Sequence, residues 1–305
     1  MKVSIVGIGK VGSALGLTLI ARGLVDELVL IGRPSAQPGD PVFAAGEAMD
    51  LLHASAFTRP AEVRAGGVSD AADSDIIAIC ASSVSTKFPR GAGAIPNAKI
   101  FQTIIPGLMV RSPNAIFLIT SNPLDAMTTL ALRLSGLPPG RVLGTGTLLD
   151  TMRLRVLLSE KCGIHPRDIR AYVLGEHGDT QFVAHSSASA GGARIALDTS
   201  LLCGLEVQTR FAGQEIMRHK GYTSAGVAMA AASIIEAIGN DSHEVIPVST
   251  LVPGFAGITD LCLSLPAVVG RAGVLRTLDI ELAPAELEAF RRSAEAVREI
   301  LNSFQ

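Results

Sequence analysis

Lys2-Val3-Ser4-Ile5-Val6-Gly7-Ile8-Gly9-Lys10-Val11-Gly12 opens the chain, and this stretch sets the architecture. Residues 2–6 are apolar and β-branched, the composition of a strand buried on both faces of a parallel sheet. The run passes directly into Gly-x-Gly-x-x-Gly and then into residues 13–21, which read as a helix. Alone, such a glycine pattern is weak. Between a strand and a helix the three glycines have distinct roles. Gly7 makes the tight turn, Gly9 lets the backbone approach a pyrophosphate, and Gly12 lets the helix pack close to the strand. The main-chain N–H groups of Lys10 and Val11 then lie at a helix N-terminus, which favours negative charge. This predicts an α/β protein with a Rossmann-type doubly wound parallel sheet.

Further strands are expected at residues 28–31, 75–80 and 115–120, and a helix at 43–53. The second strand leads to the position that reads the adenosine ribose. An acid there hydrogen-bonds the ribose hydroxyls and repels a 2′-phosphate. Here Gly32, Arg33, Pro34 and Ser35 follow the strand, so a guanidinium and a hydroxyl stand where a phosphate needs donors. The expected cofactor is therefore NADP, with NAD as the alternative. Gly7, Gly9, Lys10, Val11, Gly12, Gly32, Arg33 and Ser35 are the expected cofactor residues.

Residues 81–89 form a polar connection at the carboxyl edge of the sheet, where ligands bind in this architecture. Asn122, in Ser121-Asn122-Pro123, stands at the same edge, with a helix expected to open at Pro123. Farther on, a long helix carries Asp150 and Arg153 three residues apart, on one face; an ordinary surface ion pair has the same spacing. The apolar run Ala171-Tyr172-Val173-Leu174 reads as a short strand ending in Gly175-Glu176-His177-Gly178-Asp179. A histidine at the end of a rigid element can give and take a proton near neutral pH. Helices at 206–219 and 224–238, a β-type run at 249–265 and a closing helix at 284–304 complete the second half, which reads as α+β. The expected division is a dinucleotide-binding domain over 1–144 and a catalytic domain over 145–305.

Composition sets the remaining bounds. Of 305 residues, 48% are hydrophobic and 18% charged, which excludes a disordered chain and suggests apolar surface buried between subunits, in a homodimer or homotetramer. A formal net charge of -2 gives no electrostatic reason to expect nucleic acid or an anionic membrane as partner. No stretch is apolar for long enough to span a bilayer. Cys80, Cys162, Cys203 and Cys262 are scattered without a Cys-x-x-Cys pair and read as buried thiols of a cytoplasmic protein, with no metal site expected.

Taken together, the motifs resemble those of the lactate/malate dehydrogenase family along essentially the whole chain. They are the glycine turn, Gly46-Glu47-Ala48-Met49-Asp50-Leu51, Thr120-Ser121-Asn122-Pro123-Leu124-Asp125, and Gly144-Thr145-Gly146-Thr147-x-Leu149-Asp150-Thr151-x-Arg153. Gly175-Glu176-His177-Gly178-Asp179, Lys220-Gly221-Tyr222-Thr223, Gly257-Ile258-Thr259-Asp260 and Val268-Val269-Gly270-Arg271-x-Gly273-Val274 continue the series. The resemblance implies an NAD(P)-dependent L-2-hydroxy acid dehydrogenase acting on a small 2-oxo or 2-hydroxy acid. It further implies that His177 is the proton donor and acceptor and Asp150 its partner. Arg153 would hold the substrate carboxylate, Asn122 the substrate oxygen or the cofactor, and Thr223 would line the pocket.

In the family's mobile loop, counting back from Asn97 puts Arg90 in the carbonyl-polarising position and Val84 in the substrate-reading position. Ser85-Thr86-Lys87-Phe88-Pro89 and Gly91-Ala92-Gly93 depart from the family's pattern there. An isopropyl group at the reading position favours 2-oxo acids with apolar side chains, because a distal carboxylate closed against it would be buried without a partner. Malate or lactate dehydrogenase proper is the alternative. A non-catalytic dinucleotide-binding protein is the alternative from another class. A cofactor-assisted glycosidase is disfavoured, since metal-ligating Cys and His at suitable spacing are not evident.

Overall fold

A computed structural model describes residues 1–33, 42–83, 93–196 and 198–304. Alternation along the first strand, β1 (Lys2–Val6), sends Val3 and Ile5 to one face of a sheet and Val6 to the other. The same two-residue period holds in β2 (Glu27–Ile31), where Leu28 and Leu30 face one core and Val29 and Ile31 the second. With β3 (Glu62–Gly66), β4 (Ile76–Ile79), β5 (Ile116–Ile119) and β6 (Val142–Gly144), these strands pair in parallel in the order β3-β2-β1-β4-β5-β6. Both faces are apolar because both are covered. Helices α1 (Lys10–Ala21) and α2 (Phe43–Ser55) line one face, and α3 (Ala94–Arg111) and α4 (Leu124–Ser135) the other. Fully burying an aliphatic side chain contributes about 1.5–3 kcal/mol, so two dry faces supply most of the driving force for this layer order.

The order of strands reverses between β1 and β4, opening a crevice at their carboxyl ends. Gly7 sits there with φ +100, and a Cβ on it would lie 2.4 Å from the Ala81 nitrogen. Only glycine permits both that backbone and that approach. Gly12 is equally confined, its missing Cβ 2.2 Å from the Gly7 carbonyl oxygen, so α1 seats directly on the turn.

Past β6 come α5 (Leu148–Cys162), the short strands β7 (Ile169–Arg170), β8 (Val173–Leu174), β9 (Phe182–Val183), β10 (Ser189–Ala190) and β11 (Ala193–Arg194), and the helices α6 (Thr199–Lys220) and α7 (Ala225–Gly239). The β-type run expected at 249–265 is instead two antiparallel strands, β12 (Glu244–Leu251) and β13 (Cys262–Gly270), separated by an irregular connection with Gly254 and Gly257 in the left-handed region. β14 (Gly273–Thr277) pairs with β13, and α8 (Pro284–Asn302) closes the chain. β12 joins β6 at Ser249 opposite Gly144, so the antiparallel strands extend the parallel sheet. α7 packs with α1 on the first core, and its Glu236 pairs with Arg22 at the C-terminal cap of α1. The fold is a doubly wound Rossmann sheet with an α+β second half. Among the described residues no helix is long and apolar enough to cross a membrane.

Candidate active site

His177 is placed by the strand before it. β8 ends at Gly175, whose N–H donates to the Ser264 carbonyl of β13 and whose carbonyl accepts from the Ser264 N–H. With φ +86 and a missing Cβ only 2.4 Å from Ser293 Oγ, position 175 also requires glycine. Across β8, two threonines tie α5 down. Thr147 Oγ1 donates to the Val173 carbonyl at 2.5 Å, and Val173 N–H donates to Thr151 Oγ1 at 3.0 Å. Asp150 lies between those two threonines in the sequence, and the double tie delivers its carboxylate to the histidine.

The result is a three-residue chain of hydrogen bonds. Asp150 Oδ2 is 2.6 Å from His177 Nδ1, and its Oδ1 accepts from Arg153 Nη1 at 2.9 Å. The carboxylate side chain is only 3% exposed, while the imidazole keeps 28%, so the ring is reachable and its anchor is dry. The surface ion pair that the Asp150–Arg153 spacing also allowed is thereby ruled out. Burial works against the charged forms of both His177 and Asp150. Their mutual attraction and hydrogen bond, joined by Arg153 on the acid and Asp125 on the histidine, outweigh it. His177 is thus raised above the ordinary histidine value and Asp150 lowered below the ordinary carboxylate value. With Nδ1 committed to Asp150, Nε2 is the nitrogen that can exchange a proton with a ligand. Arg153 Nη2 and Nε make no hydrogen bond with the described residues, which leaves guanidinium donors for an anion.

Asp125 belongs to this site, although the sequence shows it only as the last residue of the Thr120-Ser121-Asn122-Pro123-Leu124-Asp125 motif, with no role attached. In the first turn of α4 and 1% exposed, it accepts the His177 main-chain N–H on Oδ2 and the Ser249 hydroxyl on Oδ1, both at 2.6 Å. Burial pushes its carboxyl up to about 7 against those two hydrogen bonds. Its sequence signal is its place at the end of that motif, two residues past Pro123 at a strand-to-helix turn; its partners are 52 and 124 residues away in the chain.

The residues expected to hold the cofactor lie at the crevice and at the end of β2 beside it. Gly9 has nothing within 4 Å of where a Cβ would stand, so open space lies over the start of α1. That helix begins at Gly9 without a side-chain cap, and its first turn holds Ser13 Oγ buried without a hydrogen-bond partner. Across the switch point Ser83 Oγ is likewise buried and unpartnered. An open helix N-terminus and orphaned hydroxyls fit a phosphate-bearing group. Gly32 packs against α2, its missing Cβ 2.8 Å from Ala44 Cβ, and Arg33 is exposed. Ser35, Val84 and Arg90 lie outside the described residues.

Asn122 is exposed at the carboxyl edge, and its main-chain carbonyl accepts from Asn97 Nδ2 at 2.7 Å. Asn97 Oδ1 in turn accepts the Ser83 N–H at 2.7 Å, so one buried amide ties together the segments after β4 and β5. Thr223 is half-buried between α6 and α7. Beside it the Tyr222 ring meets Lys220 Nζ at 4.5 Å and Lys10 Nζ at 5.2 Å, which brings this segment against the glycine turn. No hydrogen bond joins the Asn122 or Thr223 side chains to His177.

A dinucleotide-type sheet, followed in the second half of the chain by an acid-paired histidine and an arginine with donors left over among the described residues, places the chain in the class of dinucleotide-fold proteins. The chain belongs to the lactate/malate dehydrogenase family. Residues 1–144 match the model of the lactate/malate dehydrogenase NAD binding domain, and residues 147–305 that of the family's alpha/beta C-terminal domain. An L-lactate dehydrogenase from a Synechococcus species is 39% identical, with all of both chains covered. One from a Thermoanaerobacter species is 38% identical over 98% of each chain. Among solved structures, the minor L-lactate dehydrogenase of Enterococcus mundtii in a ligands-bound form superposes with a TM-score of 0.92 at 32% identity, over 100% of this chain and 98% of that one. A lactate dehydrogenase from a deep-sea metagenome library of the Medee basin also gives 0.92, at 34% identity over 99% and 98%.

Proposed function

We propose that this chain catalyses reversible hydride transfer between a nicotinamide cofactor and an L-2-hydroxy acid, with residues 1–144 holding the cofactor and 145–305 the substrate. The observation that carries this reading is the His177–Asp150–Arg153 chain, with a buried acid, a reachable ring and guanidinium donors that have no partner among the described residues. Arg153 binds the substrate carboxylate through its remaining N–H groups, fixing the 2-oxo carbon beside the histidine. His177, held as imidazolium by Asp150, donates a hydrogen bond from Nε2 to the carbonyl oxygen. It gives up that proton as the oxygen becomes a hydroxyl, and in the reverse direction takes it back. Asn122 and Thr223 line the pocket, and Arg90 polarises the carbonyl from the 81–95 loop. The glycine turn, with the N–H groups of Lys10 and Val11 at the open N-terminus of α1, holds the cofactor's phosphates. When bound, the nicotinamide supplies or accepts the hydride.

For the cofactor itself NADP is favoured. The close approach of Gly32 to Ala44 leaves no room for an acid at the ribose-reading position, and Arg33 is exposed beside it. NAD is the second reading, favoured by the family description that names it for residues 1–144. The expected substrate is a 2-oxo acid with an apolar tail, by way of Val84; the second reading is the L-lactate of the named relatives. A homo-oligomer in the cytoplasm completes the proposal. Its support is the exposed apolar residues Leu17 on α1, Phe43, Met49 and Leu52 on α2 and Phe57 just beyond it, 92% exposed, together with four free thiols, of which Cys162 and Cys203 are exposed and not buried as expected.

The test is a panel of 2-oxo acids with NADH and NADPH, including oxaloacetate, pyruvate and a branched acid. NADPH-linked reduction of an apolar 2-oxo acid is expected. No oxidation of either cofactor with any member would leave only the non-catalytic dinucleotide-binding reading. Oxaloacetate as the best substrate would overturn the placement of Val84, and equal affinity for both cofactors would overturn the phosphate reading of Arg33.

A further inference from the structure

The buried carboxylate of Asp125 has no part in the chemistry above, yet it touches the histidine that does. Its two oxygens are fully engaged in different directions. Oδ2 accepts the main-chain N–H of His177 at 2.6 Å, and Oδ1 accepts the Ser249 hydroxyl at 2.6 Å. The three groups come from three elements: α4, the turn after β8, and β12. Ser249 is itself fully buried and sits where β12 meets β6, at the seam between the parallel and antiparallel strands. A buried acid costs several kcal/mol to ionise unless it is compensated, so a merely structural tie at this point is better made by an amide or a hydroxyl.

We propose that Asp125 is a second positioning carboxylate for His177: braced by Ser249, it holds the main chain of the histidine turn from behind, and its negative charge acts on the imidazolium together with that of Asp150. The proposal rests on the catalytic reading of His177. The imidazole is then set between two acids, Asp150 on its ring and Asp125 on its backbone. Among the described residues, the remaining charged groups of the neighbourhood are Arg153 on α5, which opposes ring protonation, and Glu176 and Asp179 on the histidine's own turn. On the far side of Asp125, β13 contributes only the buried thiol of Cys262. From about pH 7 upward, where its raised carboxyl ionises, the Asp125 charge favours the protonated ring, so its loss moves the His177 titration to lower pH. In the reductive direction, where the ring must start protonated, the alkaline limb of the rate profile moves the same way.

Asp125→Asn in the full chain tests this, because the amide keeps an acceptor for the His177 N–H and removes the charge. Histidine side-chain NMR follows the titration directly; the spectrum of His177→Asn identifies the His177 signal among the six histidines. The expected result is a fall of about 0.5–1 pH unit in the His177 midpoint, with an equal fall in the alkaline limb of kcat/KM for 2-oxo acid reduction. Cofactor affinity should stay within about twofold, since Asp125 touches none of the glycine turn. Ser249→Ala leaves the carboxylate in place without its brace, making it harder to ionise, and should lower the same midpoint by a smaller amount. This variant carries the test should Asp125→Asn fail to fold. An unmoved midpoint, with activity reduced equally at every pH, overturns the proposal and leaves Asp125 a structural tie. Failure of the catalytic reading is recognised separately, as full turnover in His177→Asn, because the NMR midpoint reports on Asp125 without reference to catalysis.

Discussion

Replacing Asp150 by Asn changes one oxygen to an NH2 group at a buried point of the site. The acid is 3% exposed, 2.6 Å from His177 Nδ1 and 2.9 Å from Arg153 Nη1. Unit charges about 4 Å apart at an effective dielectric near 20 attract by about 4 kcal/mol. Each 1.36 kcal/mol corresponds to about one pH unit. Loss of the pair therefore lowers the His177 midpoint by as much as about 3 units, and burial then keeps it below the ordinary histidine value. The carboxamide also presents a donor to Nδ1, which selects the wrong tautomer of the neutral ring. Together these effects should cut kcat/KM for 2-oxo acid reduction by about two to three decades at neutral pH.

Stability should respond with a definite sign. His177 is raised in the fold, so its contribution is complete below the unfolded value of 6.5 and is lost as pH rises through the folded value. Asp150 is lowered, so its contribution is complete above 3.8 and is lost as pH falls through the folded value. The difference in melting temperature between the parent and Asp150→Asn should thus be largest between those two pH values and shrink on the alkaline side. Steady-state rates and thermal melts across the neutral range provide the assay. An alkaline limb that stays in place, with activity within about fivefold of the parent, would refute the ion-pair reasoning.

Two other substitutions probe the remaining parts of the site. Arg153→Lys should raise KM for the 2-oxo acid at least about tenfold with a smaller effect on kcat, since a point-charge ammonium cannot reproduce the planar fork; unchanged KM would make Arg153 only a partner of Asp150. Gly7→Ala forces a Cβ to within 2.4 Å of the Ala81 backbone at φ +100, and should cost about 3 kcal/mol or more while abolishing cofactor binding; a melting temperature equal to the parent's would contradict the close approach of β1 and β4.

The first parallel strand, the glycine turn and α1 are legible in the sequence because local period, glycine spacing and a buried apolar run all agree there. β3, Glu-Val-Arg-Ala-Gly, is not, because an edge strand with charged residues lacks the apolar run of its neighbours. β6 is three residues long, too short to show a period. The hairpin of β12 and β13 reads as one run because apolar residues continue through the connection at Val252, Ile258 and Leu261, all buried. Helix α6 starts at Thr199, seven residues before the expected position, where Asp198 caps it by accepting the Leu201 N–H. At the site, His177, Asp150 and Arg153 stand out because the glycine-flanked turn and the Asp-x-x-Arg spacing are local patterns. Asp125 is legible only as the end of a motif and not in its role, since that role depends on Ser249 and His177 arriving from distant parts of the chain.

Whether His177 moves the proton that accompanies hydride transfer is decided by single-turnover oxidation of bound reduced cofactor by a 2-oxo acid, comparing the parent with His177→Asn. The variant should bind cofactor nearly as well as the parent, because the glycine turn is untouched, and should react slower by several decades. A reaction at comparable speed would remove His177 from the chemistry, and with it the proton transfer proposed for this site.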